Sequence, residues 1–190
     1  MACLLASSER PRSLSLPVEL EGLIRAASIT SSFVVDSEGA VATPAGSSLG
    51  IGNPTDKKLL SALRANAQIV LTSGQTARAD NYRMPKTADL AILTRTGVED
   101  LNLVPKPGQE LHILGTEVGG FVGALKHMQA IGYERIHLEY GPTGFAQAQP
   151  LMDLVVVSGI EEAGVQKFAE SNSLTPKTKF HLADLVVWAC

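Results

Sequence analysis

The sequence predicts an α/β fold in which helices flank a mostly parallel central sheet. Short apolar stretches of strand length alternate with stretches of helical periodicity, which is the pattern of parallel strands joined by helices. Two of the apolar stretches end in turns of small residues, at 74–76 and 141–142. The last apolar stretch, residues 180–188, predicts an antiparallel hairpin at the edge of the sheet.

The first elements follow directly along the chain. Residues 18–25 predict a short helix and residues 26–35 the first strand. Residues 36–54 carry six glycines and prolines among serines, and because this segment is too long for a plain connector we expect a functional loop. A helix then begins at Thr55, with Thr55 or Asp56 as its cap. Its apolar face consists of three leucines: Leu59, Leu60 and Leu63.

The rest of the chain continues the alternation. Further strands are predicted at residues 68–72, 90–94, 111–114, 136–139 and 154–158. Helices are predicted at residues 120–131, where Gly132 ends the helix, and at residues 144–149. Residues 1–17 have little periodicity, and we expect a flexible N-terminal arm or docking segment there. Residues 18–190 are expected to form one domain.

Composition argues against several classes of function. The net charge is −3 and aromatic residues make up 5% of the chain, so we expect no nucleic-acid partner. No apolar stretch of about 18 residues is present and the first residues lack a basic start, so we expect neither a membrane span nor a leader. Cys3 and Cys190 form no disulfide framework, which favours a reducing cytoplasm. The four histidines show no metal-ligand spacing, so we expect no metal site.

Polar residues follow the predicted strand ends, where α/β proteins build ligand sites. The turn at 74–76 offers backbone N–H groups that suit a phosphate, although a tight turn that needs a small residue would show the same pattern. Thr94 and Arg95 follow the next strand, and a guanidinium beside hydroxyls suits the 2′-phosphate of a nucleotide. A solvated loop arginine is the alternative for Arg95.

Glu139 ends another predicted strand and places a carboxylate at the mouth of the expected crevice. Such a carboxylate can hydrogen-bond a pyrimidine ring or an amine. It can equally be a rim carboxylate paired with Arg135 or with a backbone amide, and both interpretations remain open at this point.

Two segments together resemble one known family. Residues 63–82 have the sequence LRANAQIVLTSGQTARADNY, and residues 135–144 have the sequence RIHLEYGPTG. The reductase domain of riboflavin biosynthesis, which has the dihydrofolate reductase fold, shows a Leu-Arg-Ala helix end, a Gly-x-Thr-x-Arg-Ala-Asp/Glu turn after a strand, and Glu-Gly-Gly-Pro after a later strand. The resemblance extends over about residues 29–158 and implies a dihydrofolate reductase-like sheet.

The resemblance implies an NADPH-dependent reductase like that for 5-amino-6-(5-phosphoribosylamino)uracil, with hydride transfer to C1 of the ribosyl group. Given such a cofactor, Arg95 favours NADPH over NADH. The resemblance also implies a homodimer, for which the apolar residues 185–188 are a candidate surface. The cofactor contacts that it implies are Thr76, Asp80, Thr94, Arg95, Gly141, Pro142, Thr143 and Gly144. The phosphorylated pyrimidine substrate would contact Ser48, Arg64, Arg83 and Glu139. Acid or relay chemistry would fall to Asp36 and Glu139.

Several of these residues have ordinary structural alternatives. Arg64 can complement a helix dipole, and Arg78 can be half of a surface ion pair. Asp36 or Glu38 can simply form a turn. Tyr140 stands where the family has a glycine, so its phenol ring can narrow the pocket or point into the core.

A second departure is the segment Asp80-Asn81-Tyr82-Arg83, where the family tends to have Asp-Pro…Arg. The two departures keep two other functions open. One is an NADPH-dependent reductase of a pterin, a dihydrofolate-like compound or another small substrate. The other is a non-catalytic ligand-binding protein on the same fold, since a fold does not determine a function.

Overall fold

The computed structural model describes residues 15–44 and 46–190, and within them eight strands form one sheet. The strands are β1 (Ile29–Val35), β2 (Ile69–Ser73), β3 (Asp89–Leu93), β4 (Leu111–Leu114), β5 (Ile136–Glu139), β6 (Leu154–Gly159), β7 (Thr178–Leu182) and β8 (Leu185–Ala189). Their order across the sheet is β4-β3-β2-β5-β1-β6-β8-β7. The first six strands pair in parallel, and β8 pairs antiparallel with β6 and β7. Of the expected N-terminal arm, residues 1–14 lie outside the described residues.

Helices cover both faces of this sheet. They are α1 (Val18–Ala26), α2 (Pro54–Asn66), α3 (Gly74–Ala79), α4 (Gly120–Ala130), α5 (Pro142–Ala148) and α6 (Glu162–Ser171). On one face, Leu63 of α2 packs with Val156 of β6. On the other face, Phe168 of α6 packs with Phe33 of β1. No helix in the described ranges is long and apolar enough to cross a membrane.

The predicted α/β fold, a mostly parallel sheet flanked by helices with a C-terminal antiparallel hairpin, is therefore confirmed. The cap predicted for α2 is wrong, because the helix begins one residue earlier, at Pro54. Asn53 is its N-cap and accepts a hydrogen bond at 2.9 Å from the backbone N–H of Asp56. The fixed φ of proline suits the first helical position, which also explains why α5 begins at Pro142 and not at residue 144.

Helix α6 was not predicted from the sequence. Its buried residues Val165, Phe168 and Ala169 have helical spacing, but no side chain caps its N-terminus and Gly164 interrupts its first turn. Gly164 is required by packing, because a Cβ atom there would overlap the backbone carbonyl of Asp36.

The hairpin differs from expectation in one respect. Strand β8 lies between β6 and β7, and all five of its residues are buried. Residues 185–188, which were expected as a dimer surface, are therefore covered within the chain itself, and β7 forms the edge.

We expect Gly164→Ala to destabilise the protein by about 1–3 kcal/mol, because the added methyl group must displace the Asp36 carbonyl. The matched control is Gly22→Ala in α1, where nothing lies within 4 Å of the new methyl group. That variant should gain about 0.5–1 kcal/mol, because alanine favours a helix more than glycine does. Urea unfolding of both variants is the measurement, and equal stabilities would contradict this account of α6.

Candidate active site

A cleft of about 1340 Å³ opens at the carboxyl ends of the parallel strands. Its walls include the last residues of β2, β3 and β5 together with parts of α2 and of the loop after β1. Open α/β sheets bind ligands in this position. The cleft exceeds the roughly 300–1,000 Å³ of an ordinary single-ligand pocket, so it has room for two ligands side by side.

Cationic side chains outnumber anionic ones in the walls of the cleft. The six cationic residues are Lys57, Arg64, Arg78, Arg83, Lys86 and Arg95. The three anionic residues are Asp56, Asp80 and Glu139. The chain as a whole carries a net charge of −3, so the charge of the cleft opposes that of the molecule. A positively charged cleft concentrates anionic ligands.

Arg64, Glu139 and Tyr82 form a partly buried charged cluster in this cleft. Arg64 Nε donates to Glu139 Oε1 at 2.7 Å, and Arg64 Nη2 donates to Oε2 at 2.6 Å. The Tyr82 hydroxyl donates to Oε2 at 2.6 Å and accepts from Arg64 Nη2 at 2.8 Å. The alternative in which Glu139 pairs with Arg135 does not hold, because Arg135 Nε donates to the carbonyl oxygen of Asn66. The cluster thus ties the end of α2 to the end of β5.

The protonation states of the cluster follow from its contacts. Burial alone would raise the pKa of Glu139, but the hydrogen bonds and charge of Arg64, with smaller contributions from His137 and Tyr82, hold that pKa below its usual value. Burial and the charge of Glu139 hold the pKa of Tyr82 well above its usual value. At neutral pH, Glu139 is therefore an ionised acceptor and Tyr82 a neutral donor.

His137 lies on the same face of β5 as Glu139 and is completely buried. Its Nδ1 lies 2.8 Å from Thr30 Oγ1, and its Nε2 lies 3.2 Å from Ser32 Oγ. Nε2 also lies 3.6 Å from Glu139 Oε1. Burial lowers the pKa of His137 to about 4, so the ring is neutral at neutral pH.

Asp56 is a second carboxylate in the cleft wall. Its Oδ1 accepts a hydrogen bond at 2.7 Å from the hydroxyl of Ser158, at the end of β6. Burial raises the pKa of Asp56 above its usual value, against the lowering effects of Ser158 and Lys57. Asp56 is therefore a carboxyl group in the cleft that can hold a proton closer to neutral pH than Glu139 can.

Asp80 docks the loop after β1 against the end of α3. Its Oδ1 accepts from Ser47 Oγ at 2.7 Å and from the Ser48 backbone N–H at 3.0 Å. Its Oδ2 accepts from Ser48 Oγ at 2.9 Å. Two residues predicted to contact different ligands, Asp80 and Ser48, thus contact each other in the cleft wall.

The turn after β2 forms the first part of the predicted cofactor site. Ser73 caps α3, and its hydroxyl accepts from the Thr76 backbone N–H at 3.0 Å. Gly74 permits close packing, because a Cβ atom there would lie 2.6 Å from Thr94 Oγ1. Arg78 forms an ion pair with Asp100 at 2.7 Å, as in the alternative interpretation for this residue.

Thr94 and Arg95 follow β3 and also line the cleft. Thr94 is buried, and its hydroxyl donates to the carbonyl oxygen of Gly97 at 3.1 Å. The Arg95 side chain is exposed, and no ion pair to it occurs among the described residues. Its guanidinium is therefore available to a ligand anion.

The residues at 141–144 open α5 and border the cleft. Tyr140 before them points into the core, where it is 4% exposed and its ring centroid lies 4.3 Å from that of Phe121. A Cβ atom at Gly144 would lie 2.8 Å from Tyr140 Cβ, so Gly144 makes room for this ring. The structure thus favours the second interpretation of Tyr140, although part of the residue still lines the cleft.

Asp36 is not brought together with the other predicted site residues. It does not line the cleft, and its Oδ1 accepts from the backbone N–H groups of Glu38 at 2.9 Å and Ala40 at 2.8 Å. These contacts are those of a turn-forming acid. Arg83, in contrast, is exposed and does line the cleft.

Sequence reasoning gave no ligand-site role to His137, Asp56 or Tyr82. The alternation of side chains along β5 could have placed His137 beside Glu139, since residues two apart share a face. Asp56 was considered only as a helix cap, and Tyr82 only as a departure from a family motif.

Comparisons with known proteins support the fold. No protein-family model matches this chain. No curated protein matches it either. Among solved structures, the pyrimidine reductase-like protein of Corynebacterium diphtheriae has 17% identity and a TM-score of 0.65, over 92% of this chain and 94% of that chain.

Two further solved structures share the fold. The riboflavin biosynthesis reductase of Saccharomyces cerevisiae has 13% identity and a TM-score of 0.57, over 85% of this chain and 87% of that chain. The deaminase/5-amino-6-(5-phosphoribosylamino)uracil reductase of Thermotoga maritima has 15% identity and a TM-score of 0.59, over 85% of this chain and 55% of that chain. The predicted resemblance is thus confirmed at the level of the fold.

We expect His137 to make the protein less stable in acid. The unfolded chain takes up a proton on this ring below pH 6.5, whereas in the folded state the pKa is about 4. The stability associated with the neutral ring is therefore complete above pH 6.5 and is lost as the pH falls toward 4, by about 3 kcal/mol in all. In urea unfolding across this range, His137→Gln should show a smaller loss than the wild type. His127→Gln, at an exposed position, should keep the full loss. Identical pH profiles for the wild type and His137→Gln would refute the assignment.

Proposed function

We propose that this chain is an NADPH-dependent reductase of a phosphorylated pyrimidine, of the 5-amino-6-(5-phosphoribosylamino)uracil reductase kind. The observation that carries the proposal is the cationic cleft at the carboxyl ends of the strands in a pyrimidine reductase-like fold. Four of its cations have no ion-pair partner among the described residues: Lys57, Arg83, Lys86 and Arg95. Both proposed ligands, the cofactor and the substrate, carry phosphate groups, and unpaired cations can bind these phosphates.

The residues present fit a nicotinamide dinucleotide. Arg95 offers an exposed guanidinium beside the hydroxyl of Thr96 at the end of β3, which suits a 2′-phosphate. Gly141 has no atom within 4 Å of where a Cβ would stand, so its backbone is open to a ligand. In this proposal Thr76, Asp80 and the residues at 141–144 complete the cofactor site.

When bound, the cofactor would supply the hydride, and the protein would bind, orient and shield the reactants. Arg64, together with Ser48 and Arg83, would hold the substrate. The carboxylate of Glu139 already accepts three hydrogen bonds, from Arg64 and Tyr82, so its role here is to fix the orientation of Arg64. No proton-donor role is assigned to Asp36, because it lies outside the cleft wall.

The first experiment is a titration with NADPH and with NADH, followed by nucleotide fluorescence. Arg95→Gln should weaken NADPH binding by about 10- to 100-fold, the value of charge-assisted hydrogen bonds to one phosphate, and should change NADH binding little. The control is Arg25→Gln in α1, an exposed residue outside the cleft wall whose ion-pair partner among the described residues is Glu21. An unchanged preference for NADPH in Arg95→Gln would contradict the assignment.

Turnover decides the substrate. NADPH oxidation in the presence of 5-amino-6-(5-phosphoribosylamino)uracil would support the proposed reaction. Failure to bind either nucleotide would favour a non-catalytic ligand-binding protein. The proposal includes a homodimer, and a monomer in sedimentation at micromolar concentration would contradict that part.

A second candidate substrate class is favoured by Asp56. A carboxyl group in the cleft wall with a raised pKa can hydrogen-bond the N–C–NH₂ edge of an amino-substituted heterocycle such as a pterin or a dihydrofolate-like compound. Turnover of dihydrofolate, lost in Asp56→Asn, with no turnover of the ribosylaminopyrimidine, would establish this candidate over the first.

A further inference from the structure

A second set of polar contacts lies beside Glu139 and centres on His137. Strands β1 and β5 pair with Thr30 opposite His137, and Ser32 lies two residues farther along the same face. The ring of His137 is thereby held between two hydroxyls, at Nδ1 by Thr30 and at Nε2 by Ser32. Thr30 is buried, whereas Ser32 is half-buried and lines the cleft. His137 itself is completely buried and does not line the cleft, so it reaches the ligand space through Ser32 and Glu139, which do.

The neighbouring carboxylate selects the tautomer of His137. Nε2 lies 3.6 Å from Glu139 Oε1, and the carboxylate is ionised at neutral pH. A lone pair on Nε2 would be repelled by this oxygen, whereas an N–H group there is attracted to it. The proton of the neutral ring therefore resides on Nε2. Nδ1 is left as an acceptor, and the Thr30 hydroxyl donates to it.

This tautomer determines what Ser32 offers to a ligand. Ser32 Oγ accepts the Nε2–H of His137, so its own hydrogen must point elsewhere. No other hydrogen-bond partner for the Ser32 side chain occurs among the described residues. Because Ser32 lines the cleft, its hydroxyl hydrogen is directed to the ligand space.

Arg64, which is paired with Glu139 and lines the same cleft, offers the same kind of group. Its Nε and Nη2 are occupied by Glu139 and Tyr82, whereas Nη1 has no partner within the part of the chain that the structure describes. Glu139 in turn has both oxygens occupied by donors. This part of the cleft therefore presents hydrogen-bond donors, and no free acceptor of Glu139, to a ligand.

We propose that Ser32, oriented by His137, donates a hydrogen bond that, together with Arg64 Nη1, selects a substrate with an oxygen acceptor at this point. Ser32 is the ligand contact and His137 is a positioning residue. The inference rests on the proposed function for the identity of the substrate but not for the tautomer or for the donor character of Ser32. The acceptor is a pyrimidine carbonyl or a phosphate oxygen, and the experiment distinguishes these two sources.

The first measurement needs no variant. A ¹⁵N spectrum of the histidine side chains of the wild type should show His137 protonated at Nε2 and not at Nδ1, with the signal assigned by its loss in His137→Gln. Protonation at Nδ1 would overturn the proposal, because the Ser32 hydroxyl would then donate to the ring.

The second measurement uses two probes, uridine and inorganic phosphate, each titrated by NMR into the folded protein. Ser32→Ala should bind one of them about 3- to 10-fold more weakly than the wild type, the usual effect of one neutral hydrogen bond. Weaker binding of uridine alone identifies a carbonyl, and weaker binding of phosphate alone identifies a phosphate oxygen.

Two histidine variants separate positioning from packing. The side-chain amide of His137→Gln can place an N–H group near the position of Nε2, so this variant should retain most of the affinity for the probe. The shorter side chain of His137→Asn reaches only the position of Nδ1, so this variant should resemble Ser32→Ala. If both variants lost affinity equally, His137 would act by packing alone.

NADPH titration of the same proteins keeps this inference separate from the proposed function. If no variant and no wild-type sample bound NADPH while the pattern with uridine or phosphate held, the reductase assignment would fail and the donor site would stand. If Ser32→Ala bound both probes as tightly as the wild type, or if the wild type bound neither, the donor site would fail whatever the result with NADPH.

Discussion

The guanidinium of Arg64 and the carboxylate of Glu139 meet at 2.6 Å with side-chain exposures of only 27% and 11%. Burying a carboxylate to this extent costs free energy, and a buried carboxylate without a partner would take up a proton and become neutral. The bidentate contact and the Tyr82 hydroxyl keep Glu139 ionised. Such a pair adds little to the net free energy of folding but requires one geometry. It therefore fixes the end of α2 against the end of β5, and the cleft forms between them.

The same pair sets the polarity of its surroundings. An ionised Glu139 attracts the Nε2 proton of His137. The ring in turn determines the hydrogen-bond directions at the two hydroxyls: Thr30 donates to Nδ1 and Ser32 accepts from Nε2. Val156 of β6 lies opposite Ser32 and is apolar, so the polar contacts of this face are concentrated between β1 and β5. Strand register produces this arrangement, because parallel pairing places Thr30 opposite His137.

The sequence was sufficient for the elements but not for the contacts between them. Alternation of apolar strands and helices predicted the sheet. The residues at 74–76 do follow a strand as predicted, but they begin helix α3 and do not form a separate turn. Glu139 and Arg64 were each singled out, yet their contact spans 75 residues, and it depends on the strand order, which no local pattern encodes. Helix α6 was missed because its apolar residues cover only a short stretch of sequence. In addition, its Gly164 is needed to leave space for the backbone carbonyl of Asp36, which is distant in sequence. Asp36 was assigned a catalytic role because of its place in a motif. In the structure its carboxylate accepts hydrogen bonds from the backbone of the turn that follows it.

Tyr140 shows how a bulky side chain is accommodated beside the cleft. A phenol ring at this position would narrow the cleft if it pointed outward. Here the ring turns into the core beside Phe121, and Gly144 provides the space for it. Its hydroxyl is buried without a partner among the described residues, which is unfavourable by about 1–3 kcal/mol. The inward position of Tyr140 thus keeps the cleft open but lowers the stability of the fold. The cationic side chains of the cleft wall then remain accessible to a ligand. Because low-dielectric walls limit screening, these charges attract anions even though the molecule as a whole is negative.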